Sequence, residues 1–309
     1  MADANRTAIA YAVEDTAGTT PSTIFQDLRY TGESLNYNVQ TTKSAEIRSD
    51  RMTLDTIPVM KSCSGAVNFE FSYGTYDAFL ESALMGAWTN HVLKNAATKK
   101  TFSLERAHLD VTEYFLYKGM MVSSMSMNIA AGSVVTGSFE FMGQGHTQTT
   151  STASSAAYTA QTTTPIFNAI GNVGTILENE SQLESGVYIQ SINFTLSNGL
   201  RPYSAIGYDY APSTGVGSFD VTGSMTMYFE TGTIYNRFID NEESALSFTL
   251  TDNATSPNAY VFLFPKIKYE SAQINSGGID TDVMATFNFR GLKDTTTTQA
   301  MLQITRDPG

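Results

Sequence analysis

The chain has 309 residues, with 18 basic and 30 acidic side chains that give a net charge of −12. This length predicts two domains or one duplicated unit. The single cysteine, Cys63, excludes an internal disulfide, and no apolar stretch approaches the roughly 20 residues needed to cross a bilayer. The first residues lack the charged and apolar regions of a signal peptide, so we expect an acidic, soluble protein made in a cytoplasm, without a membrane partner.

Uncharged polar residues dominate the composition. Charged residues make up 16% of the chain, against about 25% in average domains. Threonine, serine, asparagine and glycine fill the difference, and the aromatic and β-branched residues between them favour strands. The composition therefore predicts a mainly β protein. Its low charge is also typical of a surface that copies of the same chain cover.

Apolar residues alternate with polar ones in seven segments, which is the pattern of strands with one solvated face. Their apolar members, in chain order, are Leu35, Tyr37 and Val39; Val67, Phe69 and Phe71; Met125, Met127 and Ile129; Phe139 and Phe141; Ile192, Phe194 and Leu196; Met225, Met227 and Phe229; and Phe287 and Phe289. A helix is predicted from Thr75, as its N-cap, to Gly86, which ends it, because the apolar residues between them recur at helical spacing.

An internal repeat determines the expected domain organisation. Residues 65–75 (GAVNFEFSYGT) align without gaps with residues 223–233 (GSMTMYFETGT), and a second, shorter helix is predicted after the later copy. Three weaker matches follow the same order, pairing 25–30 with 189–194, 102–104 with 248–250 and 138–143 with 286–291. We therefore predict a first domain over residues 1–145, including an N-terminal arm, a polar linker over 146–172 and a second domain over 173–309.

No complete catalytic, metal or cofactor motif occurs in the sequence. Gly215 and Gly217 lack the third glycine of a dinucleotide fingerprint, and no glycine loop leads to a phosphate-binding lysine. Four ionisable residues between 105 and 113 match no complete metal site, so we expect a solvated loop there; they are Glu105, His108, Asp110 and Glu113. The pair Asp280 and Asp282 lacks the remaining ligands of a calcium loop. We expect no enzyme, no metal and no cofactor.

The sequence also contains no nucleic-acid-binding motif. Such binding requires clustered lysine and arginine residues, and Lys99 and Lys100 form the only basic pair.

With the repeat and the segment LRYTGESLNYNVQTTKSAEIRSDR (residues 28–51), the sequence resembles the tail tube proteins of long, non-contractile bacteriophage tails, with the best match over residues 25–145. The resemblance implies two tandem tail-tube-type β-sandwich or barrel domains, each flanked by a short α-helix. In that family six such domains form a ring, rings stack into a tube, and DNA passes through the lumen. Most members carry one domain per chain, and here the chain departs from that plan.

The resemblance therefore implies a siphophage major tail protein whose rings contain three chains, with exact threefold and approximate sixfold symmetry. Four lining strands per domain give a barrel of 24 strands, about 48 Å across at ~4.8 Å spacing and ~40° tilt. The implied partners are further copies of the chain, a tape-measure protein, tail terminator and tip proteins, and double-stranded DNA in transient passage. The implied location is the virion, after assembly in the host cytoplasm.

Arg48, Asp50 and Arg51 are the candidate interface residues. They lie in the connection between residues 41 and 62, which we hypothesise reaches the next ring of the stack. An acidic or neutral lumen would let DNA slide, but alternation identifies two strand faces without telling which one lines the lumen.

Three alternatives remain open at this stage. The chain could be a subunit of another viral or surface polymer, a carbohydrate-binding β module of a phage tail tip, or a β-sandwich hydrolase.

Overall fold

The computed structural model of the protein describes residues 3–153, 158–170, 172–178, 181–182, 187–252 and 257–308. It is mainly β, which confirms the predicted fold class. A 3-10 turn (Ala4–Arg6) precedes the first strand. The strands are β1 (Thr7–Val13), β2 (Gln26–Asp27), β3 (Gly32–Glu33), β4 (Asn36–Lys43), β5 (Thr56–Glu70), β6 (Val92–Lys94), β7 (Phe102–His108), β8 (Glu113–Ala130), β9 (Thr136–Gly143), β10 (Gly145–Thr149), β11 (Val173–Glu178), β12 (Ser181–Gln182), β13 (Ile189–Ser197), β14 (Arg201–Tyr203), β15 (Ser213–Gly215), β16 (Asp220–Tyr228), β17 (Ser244–Thr251), β18 (Ala259–Ser276), β19 (Val283–Gly291) and β20 (Gln303–Asp307). The helices are α1 (Asp77–Leu84) and α2 (Thr233–Ile239).

Helix α1 forms where the apolar spacing predicts it, and its core-facing stripe is buried. Thr75 does not cap it, because the Thr75 hydroxyl exchanges hydrogen bonds with Ser72 (2.7 Å) and Thr162 (2.6 Å) instead. Met85 adopts the left-handed conformation at the end of the helix. The N–H of Gly86 then donates to the carbonyl of Glu81. A Cβ on Gly86 would lie 2.2 Å from the Lys94 carbonyl oxygen, so only glycine fits there.

Eight antiparallel strands form one continuous sheet, which we call the central sheet. Its order is β4-β5-β9-β8-β13-β16-β19-β18. The first four of these strands come from the first part of the chain and the last four from the second. The aromatic core and the two helices lie against one face of this sheet. The other face carries no second layer among the described residues.

The two halves of the chain follow the same pairing order. The first half runs β1-β7-β8-β9-β5-β4, and the second runs β11-β17-β18-β19-β16-β13. Bulges also recur at corresponding points. One interrupts β8 at Ser123 against β9, and another interrupts β18 at Glu270 against β19. A bulge inserts one extra residue at a defined position of a strand. The two bulges therefore mark corresponding positions in β8 and β18.

Strand pairing corrects two of the weaker repeat matches. Residues 26–27 pair with β1, whereas β13, their proposed counterpart, pairs with β8 and β16. It is β4, paired with β5, that takes the place of β13. In β7, the bulge between Phe102 and Leu104 corresponds to the bulge between Ser244 and Leu246 in β17. Leu104 therefore corresponds to Leu246 and not to Leu250, which the sequence comparison had paired with it.

The polar segment expected as a linker packs along the first half. Its first residues form β10, which pairs with β8. Thr159 bridges to Gln26, Ile166 bridges to Ser72, and the buried ring of Phe167 contacts Phe71 at a centroid distance of 5.7 Å. Residues 154–157 and 171, which also belong to the predicted linker, lie outside the described part of the chain.

Candidate assembly surface

The two faces of the central sheet differ sharply in chemistry. One face is apolar and buried against the core, as at Met125, Met127 and Phe194. The opposite face, which we call the polar face, consists mainly of small uncharged side chains. They include Ser64, Asn68, Ser124, Ser126, Asn128, Ser138, Asn193, Thr195, Thr222, Ser224, Thr226, Thr286, Asn288, Ser271 and Gln273. The structure thus assigns the two faces that alternation alone left undistinguished.

Hydrogen bonds between neighbouring strands order the polar face. Ser224 donates to the amide oxygen of Asn193 at 2.9 Å, and Asn288 donates to the hydroxyl of Ser271 at 2.7 Å. Such cross-strand pairs hold polar side chains flat against the sheet.

Charges on the polar face are few and mostly acidic. Among the described residues they are Glu70, Glu140, Asp220, Glu270, Lys268 and Arg290. Arg290 lies between two of the acids, donating to Asp220 and Glu270 at 2.5 Å each. These two carboxylates raise the pKa of Arg290 above its ordinary value. Arg290, the only guanidinium of this face within the described ranges, is therefore neutralised locally, which leaves the surface with little attraction for phosphate.

Both lateral edges of the central sheet are open within the described residues. At one edge β4 pairs only with β5, and at the other edge residues 271–276 of β18 pair only with β19. Asn36, Asn38 and Val39 on the first edge are exposed, as are Ser271 and Gln273 on the second. Open strands present unpaired N–H and C=O groups, which are a template for pairing with another chain.

Two strand pairs join the halves of the chain: β20 pairs with β6 outside the central sheet, and β13 pairs with β8 within it. We call the second of these pairs the internal junction. Strand β13 pairs with the C-terminal part of β8 from Ser191 opposite Ala130 to Ser197 opposite Ser124. Asn198 closes the junction: its backbone N–H donates to the Ser123 carbonyl at 2.9 Å. The buried amide of Asn198 donates to the carbonyls of Ala83 and Val122, both at 3.0 Å.

The predicted interface residues lie together on an exposed loop between β4 and β5, residues 44–55, which we call the first arm. Arg48 and Asp50 form an ion pair at 2.9 Å, and hydrogen bonds from Arg48 lower the pKa of Asp50. Arg51 has a positive φ of 59°, and its side chain forms no ion pair among the described residues. The first arm also exposes apolar side chains; they are Ile47, Met52 and Leu54.

A second arm, residues 198–219, was not anticipated from the sequence. It contains the β14–β15 hairpin, exposes Ile206 and Tyr208, and leaves the same end of the sheet as the first arm. Lys61 fixes it at the base of the first arm, with its ammonium 2.6 Å from the Asp209 carboxylate and its N–H 2.8 Å from the Asp209 carbonyl. The glycine-rich composition of this segment resembled an ordinary loop, so no sequence signal separated it from one.

The residues considered as catalytic groups or metal ligands have structural roles in the fold. Glu105 is buried in β7, where the hydroxyl of Tyr158 and the N–H of Ala153 donate to it, so the expectation of a solvated loop is wrong at this residue. Burial raises the pKa of the Cys63 thiol to about 12, which keeps it protonated. No group of three or more histidine, cysteine, aspartate or glutamate residues that could hold a metal is found in the described ranges.

A sheet with one polar face, two open edges and protruding arms is the architecture expected of a structural subunit that assembles with other chains. The family model described as phage tail tube protein matches residues 4–291, and the chain belongs to this family. It is therefore a structural component of the tail tube of a bacteriophage virion, and it is not an enzyme.

A comparison with curated proteins found no match. Within the described residues, none of the helices combines the length and apolar character required to span a membrane.

Proposed function

We propose that three copies of this chain close a ring with exact threefold and approximate sixfold symmetry, and that such rings stack into the hollow tail tube of a siphophage. The observation that carries the proposal is the continuous eight-stranded central sheet with an open strand at each side. Three such sheets joined edge to edge supply 24 strands. At ~4.8 Å spacing and ~40° tilt this barrel is about 48 Å across, which leaves room for duplex DNA.

The pseudo-sixfold symmetry requires two equivalent tube domains per chain, the first over residues 1–145 and the second over 173–309. The common pairing order and the recurrent bulges support this duplication, because independent folds would share neither. Joining the domains in one chain makes three of the six junctions in each ring intramolecular.

The polar face of the central sheet would line the lumen. Its hydroxyl and amide groups and its small excess of acids favour the passage of double-stranded DNA without binding, because tight binding requires clustered cations. The same lumen would hold a tape-measure protein before DNA passage. Terminator and tip proteins would cover the two ends of the tube, after assembly in the host cytoplasm.

Stacking would be head to tail, because the two ends of the sheet differ. Both arms leave one end, while the opposite end exposes apolar side chains at the starts and ends of its strands; they include Tyr188, Phe229, Ile279 and Val283. Contact between unlike surfaces generates an open polymer rather than a closed pair.

Electron microscopy of the purified protein tests the proposed tube. We expect hollow rods, and end-on class averages with six similar lobes in which alternate lobes are identical. End-on averages that show six identical chains, and hence twelve domains in a ring, would contradict the proposal. Particles that never elongate at high protein concentration would contradict it as well.

Charge removal from the first arm tests its role in stacking. In the triple variant Arg48→Ala, Asp50→Ala and Arg51→Ala, we expect folded chains that no longer sediment as tubes, because the three side chains are exposed and contribute little to the fold. The midpoint of thermal unfolding should stay within about 2 °C, since exposed substitutions change stability by less than ~0.5 kcal/mol. A matched control is Arg6→Ala, which removes an exposed ion pair with Asp110 away from both arms. Tubes of normal length from the triple variant would show that the first arm is an intradomain loop.

A further inference from the structure

We infer that neighbouring chains pair β4 with β18 in the register of the internal junction, so that Asn38 lies opposite Ser271 and Asn36 lies opposite Gln273 of the next copy. This inference rests on the proposed ring and specifies its contact between chains. The internal junction is the contact between the two halves that lies within the central sheet, and the open edges are the two strands that correspond to its two sides.

Strand β4 takes the place of β13. In the first half Gly65 lies opposite Phe141, and in the second half Gly223 lies opposite Phe289. Counting from these glycines, Asn36 pairs with Ser64 as Thr195 pairs with Thr222. Asn36 therefore corresponds to Thr195, and Asn38 corresponds to Ser197.

Strand β18 takes the place of β8. The bulges at Ser123 and Glu270 fix the register, because Ser124 and Ser271 are the first paired residues beyond them, opposite Glu140 and Asn288. Ser271 therefore corresponds to Ser124, and Gln273 corresponds to Ser126. In the internal junction Ser197 lies opposite Ser124 and Thr195 lies opposite Ser126. Replacing each strand by its counterpart gives the register stated above.

The backbone of β4 is oriented for this pairing. The N–H of Ser34 donates to the Ala66 carbonyl at 2.9 Å. Because backbone groups alternate in direction along a strand, the N–H and C=O groups of Asn36 and Asn38 also point towards β5. The N–H and C=O groups of Tyr37 and Val39 consequently point to the open edge. Their counterparts in the internal junction point to β8, as the bond from Asn198 to Ser123 shows.

Side chains agree with the same register. On the core side, the large ring of Tyr37 would lie beside the small Ala272, and both are only half-buried in the single chain. The pairing begins at Asn36, because the carbonyl of Leu35 already accepts hydrogen bonds from Arg106 (2.9 Å) and Tyr117 (3.2 Å). The contact between chains is therefore shorter than the internal junction, in keeping with a contact that forms only on assembly.

Disulfide trapping tests the register. In the double variant Asn38→Cys and Ser271→Cys, the two cysteines of adjacent chains would occupy a pair without mutual backbone hydrogen bonds, about 4.5 Å apart between Cα atoms, which a disulfide can span. We expect mild oxidation of assembled tubes to convert more than about half of the chains into covalent species that end at the trimer on non-reducing gels. Native Cys63 is buried and should not contribute.

Two matched variants make the result specific. The pair Ser124→Cys and Ser197→Cys occupies the same position within the internal junction and should form a disulfide inside each chain, with no change in mass. The pair Asn38→Cys and Asn275→Cys is displaced by four residues, about 13 Å along the strand, and should not cross-link. The register would be overturned if both double variants form tubes but only the internal pair, Ser124→Cys with Ser197→Cys, forms its disulfide. That result would leave the tube proposal intact. If wild-type protein forms no tubes, both proposals fail together.

Discussion

Replacing Val39 by proline should raise the protein concentration needed for tube formation and leave the chain folded. By the alternation of β4, the N–H of Val39 points to the open edge, and Lys61, which lies opposite it on β5, donates its own N–H to Asp209 instead of to β4. This is the setting in which an edge strand accepts proline. In the assembled ring the same N–H would face β18 of the next chain. Losing this bond and introducing the proline ring weakens each contact between chains by about 1–3 kcal/mol, which raises the concentration needed for assembly roughly tenfold to a hundredfold. Sedimentation across a concentration series measures the effect.

Two further substitutions control the Val39→Pro experiment. Val39→Thr keeps the N–H and the branched side chain, and it should assemble like the wild type. Asn38→Pro removes an N–H that faces β5 within the chain, so it should lower the thermal midpoint of the unassembled protein. Unimpaired assembly of Val39→Pro would show that β4 is not a contact strand.

The alternation of apolar and polar residues predicted most strands of the central sheet, because each must bury one face. Met125, Met127 and Ile129 are buried, and Ser124, Ser126 and Asn128 lie on the opposite face. The same alternation could not identify the neighbour of each strand. A period of two is equally compatible with many partners and registers, so the match of residues 25–30 with β13 was an error of this kind.

The candidate surface depended on long-range pairing and was predicted only in part. Arg48, Asp50 and Arg51 were predicted as interface residues because they lie in the connection between residues 41 and 62, and the structure places them on one exposed arm. The internal junction joins β8 and β13, whose paired residues are 61 to 73 positions apart in the sequence, and nothing local in either strand encodes that contact. The open edges become recognisable only after the internal junction is known, since they are defined by the partner that they lack.

The proposed ring also requires the two halves of the chain to be held rigidly, and Tyr260 is central to their contact. This second-half residue is fully buried, and its ring lies among the first-half residues Phe71 and Tyr73 at centroid distances of 5.4 and 4.9 Å. Its hydroxyl accepts the N–H of Gly74 at 3.0 Å and donates to Asp77. Burial first, and then the nearby charge of Asp77, raise the pKa of Tyr260 well above its ordinary value, so the hydroxyl stays protonated and keeps donating.

Substituting Tyr260 by alanine should therefore lower the free energy of unfolding of the unassembled chain by about 3–5 kcal/mol, through lost aromatic packing and a cavity between the halves. Tyr260→Phe keeps the ring but leaves the Gly74 N–H and Asp77 without this partner, and should cost about 1–3 kcal/mol. Urea denaturation at neutral pH measures both, and Tyr188→Ala, an exposed second-half tyrosine, should stay within ~0.5 kcal/mol. Because the lost contacts join the halves, Tyr260→Ala should also separate the unfolding curve into two transitions. A single transition at the wild-type midpoint would mean that the other contacts between the halves, among them the internal junction and the β6–β20 pair, suffice to couple the domains.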